Sequence, residues 1–249
     1  MGRTFEALQK AERERSKMLL QPVLRIEKSI QPYSPLEGIR GVSPPWCQEL
    51  WHKLRQQSQN SELKKLLFTG LSQGSGCTST VAAFAIYLAT NLRKKVLALD
   101  LNLANPALKQ FFRPDDTSET AEVLTQSSIQ QSDFFQTLRR NLAVVINDGE
   151  PIQDGVAWLE SPFFDQFVEK ARSEFDFILF DTGQAANSTE THLLCPRADA
   201  VIIVLKAGEV RGSVASRVKM DLEASGAKIA GVILNKRKYY IPKWLYKRL

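Results

Sequence analysis

The chain has 249 residues, enough for one sizeable α/β core with appendages and short of two full domains. A hydrophobic share of 43% with 24% charged residues excludes disordered and collagen-like chains, and no apolar run approaches the length of a membrane span. The net charge of +6 sits at one end: Lys236, Arg237, Lys238, Lys243, Lys247 and Arg248 are six of the 33 basic residues, and the remainder equal the 27 acids in number.

The opening, MGRTFEALQKAERERSK, mixes acids and bases without an apolar centre. It reads as a helical arm over 2–20 and not as a secretory signal, which points to the cytoplasm. Pro22 limits that helix, and Pro32, Pro35, Pro44 and Pro45 make the stretch up to 45 an extended linker. Trp46, Leu50 and Leu54 then share one face of a helix over 46–57.

From there strand-like runs alternate with helical ones: KLLFTG (65–70), a helix over 78–92, KVLALD (95–100), NLAVVIN (141–147), a helix over 161–175, FILFD (177–181), DAVIIVLKAG (199–208), a helix over 212–225, and KIAGVILN (228–235). The strand runs are apolar throughout, as when helices cover both faces of a sheet. The expected fold is α/β: a doubly wound, mostly parallel sheet flanked by helices, with the N-terminal helical arm attached. Ser161 followed by Pro162 is a helix entry, a capping hydroxyl before a proline that needs no amide donor. The chain thus divides into 1–45 (arm and linker), 46–235 (the α/β domain) and 236–249 (a basic aromatic tail). Cys47, Cys77 and Cys195 are odd in number and widely spaced, so they read as reduced thiols, and His52 and His192 have no ligand partners nearby in sequence.

The stretch LLFTGLSQGSGCTSTVAAFA (66–85) has the layout of a phosphate-binding loop: buried strand, glycine turn, helix start. Such a loop aims backbone amides at the phosphates, neutralises them with a lysine and ligates Mg²⁺ through a Ser or Thr hydroxyl. Anchoring on Gly74, Ser75 and Gly76 puts Cys77 at the lysine position and Thr78 at the metal; anchoring on the helix puts Thr78 at the lysine and Ser79 at the metal. Both alignments lack the cation. Removing one partner of a close, desolvated charge pair costs about 2 to 5 kcal/mol, so nucleotide affinity is expected to suffer roughly 30-fold or more.

The chain resembles the bacterial tyrosine kinases of exopolysaccharide and capsule assembly, the CpsD/CapB group, within the MinD/ParA clan of P-loop ATPases. The resemblance runs collinearly from Glu49 to Asn235. ELWHKLR (49–55) is similar to the helix that mediates ring assembly in the family, with Glu49 and Arg55 kept and His52 at the first arginine. VLALDLNLANPALKQFF (96–112) resembles the second Walker motif, and FDFILFDTG (175–183) resembles Walker B. GVILN (231–235) ends in the asparagine that contacts adenine in the clan. The opening residues resemble the leader of polysaccharide-locus members. The resemblance implies ATP or ADP with Mg²⁺ as cofactors, Asp100 and Asp181 as catalytic acids and, with Thr78, as metal ligands. The departures all concern charge at the phosphates: no loop lysine, Asn102 for the second acid, Ala104 and Asn105 for two arginines. Weak nucleotide binding or none, and impaired phosphoryl transfer, are expected.

In KRKYYIPKWLYKRL cations alternate with Tyr239, Tyr240, Trp244 and Tyr246. Each Lys or Arg near anionic lipid contributes about 1 kcal/mol, and amphipathic rings favour the headgroup zone. The tail is therefore expected on the inner face of the cell membrane, or on the transmembrane polysaccharide co-polymerase (chain-length regulator) that the resemblance implies as partner. It also implies homo-oligomers through Glu49 and Arg55 and phosphoacceptors at Tyr239 and Tyr240. Nucleic acid is disfavoured, since the neutral body offers no extended basic track.

Three readings follow. The favoured one is a cytoplasmic, kinase-like P-loop subunit of polysaccharide synthesis and export, catalytically degenerate and regulatory through binding. The second is an active tyrosine autokinase whose missing cation is supplied by Arg211, Lys206 or a neighbouring subunit. The third is a MinD/ParA-like positioning ATPase, disfavoured because Ser72 stands where that group has a second signature lysine.

Overall fold

The computed structural model describes residues 24–29, 44–58, 62–112, 135–139, 141–145, 155–185 and 188–237. The arm over 2–20 and everything beyond 237, including Tyr239 and Tyr240, lie outside the described residues.

Eight strands make one sheet: β1 (Leu24–Ser29), β2 (Lys65–Gly70), β3 (Val96–Asp100), β4 (Phe135–Arg139), β5 (Leu142–Val145), β6 (Phe177–Gln184), β7 (Ala200–Lys206) and β8 (Ile229–Arg237). Their order is β1-β8-β7-β2-β6-β3-β5-β4, with β4 antiparallel to β5 at one edge and the other neighbours parallel. Six helices are described: α1 (Pro45–Gln57), α2 (Cys77–Thr90), α3 (Gly155–Glu160), α4 (Pro162–Glu174), α5 (Thr189–Leu194) and α6 (Gly212–Ala224). The expected doubly wound sheet is present. Two strands were not foreseen: β1, from within the proline-containing segment, runs parallel to β8, and β4 forms a short hairpin with β5.

Alternation explains the uninterrupted apolar runs. Along β2, Leu66 and Phe68 enter a core layer shared with α1 and α2, while Leu67 enters the opposite layer with α4 and α6. In β6, Leu179 takes the first side and Ile178 and Phe180 the second. With both faces covered, a residue on either face gains by being apolar. Helix α2 is buried from Thr80 through Ala89 because the sheet lies on one side of it and α1 on the other. There the Cys47 thiol donates to the Ala83 carbonyl at 3.8 Å.

Helix α4 begins as anticipated, with the Ser161 hydroxyl accepting the Phe164 amide at 3.3 Å and Pro162 at the first helical position. Ser161→Ala should lower stability by about 1 kcal/mol, read as a shifted urea midpoint at unchanged slope. Parallel strands deliver their C-terminal ends to one edge of the sheet. The ends of β2, β3 and β8 and the later part of β6 therefore assemble Gly70, Asp100, Asn235 and Asp181 at that edge.

Candidate functional site

Between β2 and α2 the loop 71–76 turns on two glycines in the left-handed region, Gly74 (φ 71°) and Gly76 (φ 84°). The Leu71 amide donates to Val204 O (3.2 Å) and the Ser75 amide to Ser72 O (3.1 Å). The hydroxyls of Ser79 and Thr80 both close on Gly76 O, at 2.9 and 2.7 Å. The amides of Cys77, Thr78 and Ser79 open the helix and have no carbonyl one turn back within it, and the helix dipole adds positive potential there. This is a turn-plus-helix arrangement suited to an anion.

Strand β8 grips the loop. The buried Asn235 amide donates from Nδ2 to Ser75 O at 2.7 Å, and its Oδ1 accepts the Lys236 amide at 2.9 Å. A Cβ at residue 76 would overlap Asn235 Nδ2, so that position requires glycine for space as well as for φ. Lys236 itself adopts a left-handed backbone (φ 54°), and its Nζ donates to Gly74 O at 2.7 Å. Glu209 completes the rim, accepting the Ser72 hydroxyl at 3.2 Å and pairing with Lys206 Nζ at 3.1 Å. The hydrogen bond from Lys206 holds the Glu209 carboxyl below its usual range, and the charge of Lys236 adds to this. Of the cations considered from the sequence, Lys206 is thus paired with Glu209 and Arg211 lies exposed before α6. The lysine that reaches the loop is Lys236, expected from the sequence to open the tail. Lys236 and Arg237 are instead the last residues of β8.

The two acids differ in their engagement. Asp100 Oδ2 accepts the amides of Ala107 and Leu108, both at 2.8 Å, and Oδ1 accepts that of Asn102 at 3.3 Å. It caps the 3-10 turn Leu108–Phe111. Burial pushes its carboxyl up, and the three amides partly offset this. Asp181 stands opposite Asp100 in the β3–β6 register and is fully buried, and among the described residues neither carboxylate oxygen has a hydrogen bond of ordinary geometry, the Thr78 hydroxyl and Cys77 thiol lying beside it. Burial, then the Asp100 charge, pushes it up to about 8; the adjacent Thr78 hydroxyl and Cys77 thiol pull the other way. Thr78 therefore faces the orphaned acid while the Ser79 hydroxyl is spent on Gly76 O. This geometry favours the alignment anchored on the glycines.

Other candidate residues lie elsewhere. Glu49 and Arg55 are exposed on α1, Glu49 paired with Lys53 at 2.9 Å and Arg55 over the Trp51 ring at 5.9 Å. Arg55, Trp51, Leu54, Leu63, Leu66 and Phe177 line an open cleft of about 480 Å³ at the opposite edge of the sheet. Cys47, Cys77 and Cys195 are buried thiols, and burial pushes Cys195 up to about 11. His192 accepts or donates at Nδ1 with the Ser225 hydroxyl, 2.8 Å away. No helix among the described residues is long and apolar enough to cross a membrane.

Strand order, glycine loop and helix start together define a P-loop protein of MinD/ParA-like fold. The kinase domain of the Escherichia coli tyrosine kinase ETK superposes with a TM-score of 0.71 at 19% identity, covering 88% of this chain and 91% of that one. MinD from Pyrococcus horikoshii, solved with Mg-ADP, gives 0.53 at 19% identity over 74% and 76%. By sequence, the chain is similar to bacterial tyrosine-protein kinases. It is 24% identical over 191 residues to CpsD of Streptococcus agalactiae (76% of this chain, 83% of CpsD) and 25% identical over 182 residues to YwqD of Bacillus subtilis strain 168 (73% and 76%). It also matches the succinoglycan biosynthesis transport protein ExoP of Rhizobium meliloti at 27% over 187 residues, which is 73% of this chain and 23% of ExoP. No family model matches the chain.

Proposed function

We propose that the chain is a nucleotide-binding, kinase-like subunit of exopolysaccharide or capsule synthesis and export that acts mainly through binding, with phosphoryl transfer impaired. One observation carries the binding half: a fully buried Asp181 whose oxygens have no hydrogen bond of ordinary geometry among the described residues, beside Thr78 at the foot of a glycine loop. Leaving a buried carboxylate unsatisfied costs several kcal/mol unless it is protonated or meets a cation. Mg²⁺ bound with nucleotide phosphates uses only one or two protein carboxylates, so the donor set fits. Thr78 and Asp181 would hold the ion, and the ion would neutralise phosphate charge. The impaired half rests on Asp100, whose oxygens already serve three backbone amides, and on Asn102, whose side chain is turned to Asn105 O at 2.8 Å. Asn235 is committed to the loop and thereby supports the phosphate cradle, whatever it does toward a base.

ExoP, a succinoglycan biosynthesis transport protein, supports a polysaccharide setting; to it we add, from the sequence resemblance and the basic aromatic composition, a transmembrane co-polymerase as partner, the residues after β8 (238–249) at the inner membrane face, and Glu49 and Arg55 of α1 in subunit contacts. An active tyrosine autokinase is the second reading, favoured by Lys236 at the loop, a cation that the loop's own sequence lacks. A positioning ATPase gains nothing from Ser72, whose hydroxyl is turned to Glu209. Calorimetric titration with Mg-ADP and Mg-ATP, beside a phosphotyrosine blot of the protein made in cells, tests the proposal. The expected result is nucleotide binding without phosphotyrosine. Absence of binding overturns the reading, and binding with phosphorylated Tyr239 or Tyr240 replaces it with the autokinase.

A further inference from the structure

A phosphate loop without its lysine should bind phosphate poorly, yet the amino group of Lys236 lies at this loop, 2.7 Å from Gly74 O. Three features place it there. Strand β8 ends at the same sheet edge as β2, two strands away through β7. The Asn235 side chain, donating to Ser75 O, draws the end of β8 onto the loop. Its Oδ1 then holds the Lys236 amide, fixing the left-handed backbone that turns the lysine side chain back toward Gly74. A non-glycine residue seldom takes that conformation.

The ammonium group has three donors, and one is spent on the neutral Gly74 carbonyl. The nearby acid of the rim, Glu209, has its own ion pair with Lys206. Lys236 acts on that carboxylate through space without bonding to it, so two of its N–H donors remain for an anion seated at the loop. An independent feature of the same loop points to a ligand: the fully buried Asp181 carboxylate beside Thr78 and Cys77, without a hydrogen bond of ordinary geometry among the described residues.

We propose that Lys236, delivered from the end of β8 and held by Asn235, is the cation that binds the terminal phosphate of a nucleoside di- or triphosphate in this loop, in place of the lysine absent at Cys77. The inference rests on the nucleotide-binding reading above. The lysine approaches over the apex of the loop at Gly74, not from the start of α2. It must reach the β-phosphate and has no part in holding a nucleoside monophosphate.

The test titrates Mg-ADP and AMP into the wild-type chain and into Lys236→Gln, Lys236→Arg and Lys95→Gln variants, the last removing an exposed lysine at the far edge of the sheet. Lys236→Gln should weaken ADP at least about tenfold, leave AMP within about twofold, and flatten the dependence of ADP affinity on salt. Lys236→Arg should keep most of the affinity and Lys95→Gln all of it. An unchanged ADP affinity in Lys236→Gln, with wild-type binding intact, overturns this inference alone. Equal loss for ADP and AMP, or loss also in Lys95→Gln, does the same. A wild-type chain that does not bind ADP overturns both this inference and the reading beneath it. Thermal midpoints of all four proteins, measured without nucleotide, separate a binding defect from unfolding.

Discussion

Raising the pH from about 5 to about 8 should destabilise the protein, and Asp181→Asn should remove most of that loss. An aspartate in the unfolded chain titrates near 3.9, whereas burial and the Asp100 charge push the folded Asp181 up to about 8. Between these values the native state holds a proton that the unfolded state has released. Stability then falls as pH rises through the window and levels off above it. Asparagine fills nearly the same volume and carries no titrating proton. The loss across the window should be on the order of 3 kcal/mol in wild type, roughly 10 °C in the thermal midpoint, and small in the variant. At the alkaline end Mg²⁺ should raise the wild-type midpoint, since a bound cation would neutralise the carboxylate that has lost its proton, and should do little for Asp181→Asn. A flat wild-type profile would show that Asp181 is ionised and satisfied by something other than a proton.

Gly76→Ala should cost roughly 2 to 4 kcal/mol. About 1 to 2 kcal/mol comes from forcing an L-residue to φ 84°, and the rest from displacing the Asn235 amide, which leaves the buried Ser75 carbonyl without its donor. The two contributions can be separated. In an Asn235→Ala background the obstruction is gone, so Gly76→Ala should cost only the backbone part, and the double variant should be less destabilised than the sum of the singles. Denaturant titration of the four proteins measures this. Strict additivity would mean that loop and strand end are not coupled.

The sheet was legible because each central strand needs apolar residues on both faces, which leaves an unbroken run in the sequence; β2 has the expected boundaries, 65–70. β1 was hidden among prolines, and β4, a short antiparallel edge strand, has no such run to announce it. The glycine loop and the acids at strand ends were also legible, since the positions of Gly74, Gly76, Asp100 and Asp181 follow from strand–turn–helix spacing. What each acid does was not. Asp100 and Asp181 stand side by side in register, and only the path of the chain after β3 reveals that one caps backbone amides while the other is buried beside Thr78 and Cys77. Lys236 was not legible as a loop contact because it lies 162 residues from Gly74 in the chain, whereas the cations expected at the loop were Lys206, Arg211 or one from a neighbouring subunit. A signal was available: a lysine directly after the asparagine ending GVILN, on a strand whose C-terminal end reaches the same edge as the loop.

The way Asn235 and Lys236 fasten Ser75 and Gly74 has a further consequence for how tightly any anion can be held. A free glycine turn would have to surrender its conformational entropy when its guest arrived, and affinity would fall by that amount. Here two hydrogen bonds from the end of β8 already hold the turn in place, which preorganises the cradle. Encounter with a phosphate should then be close to lock-and-key, with residence time governed by charge and not by loop closure.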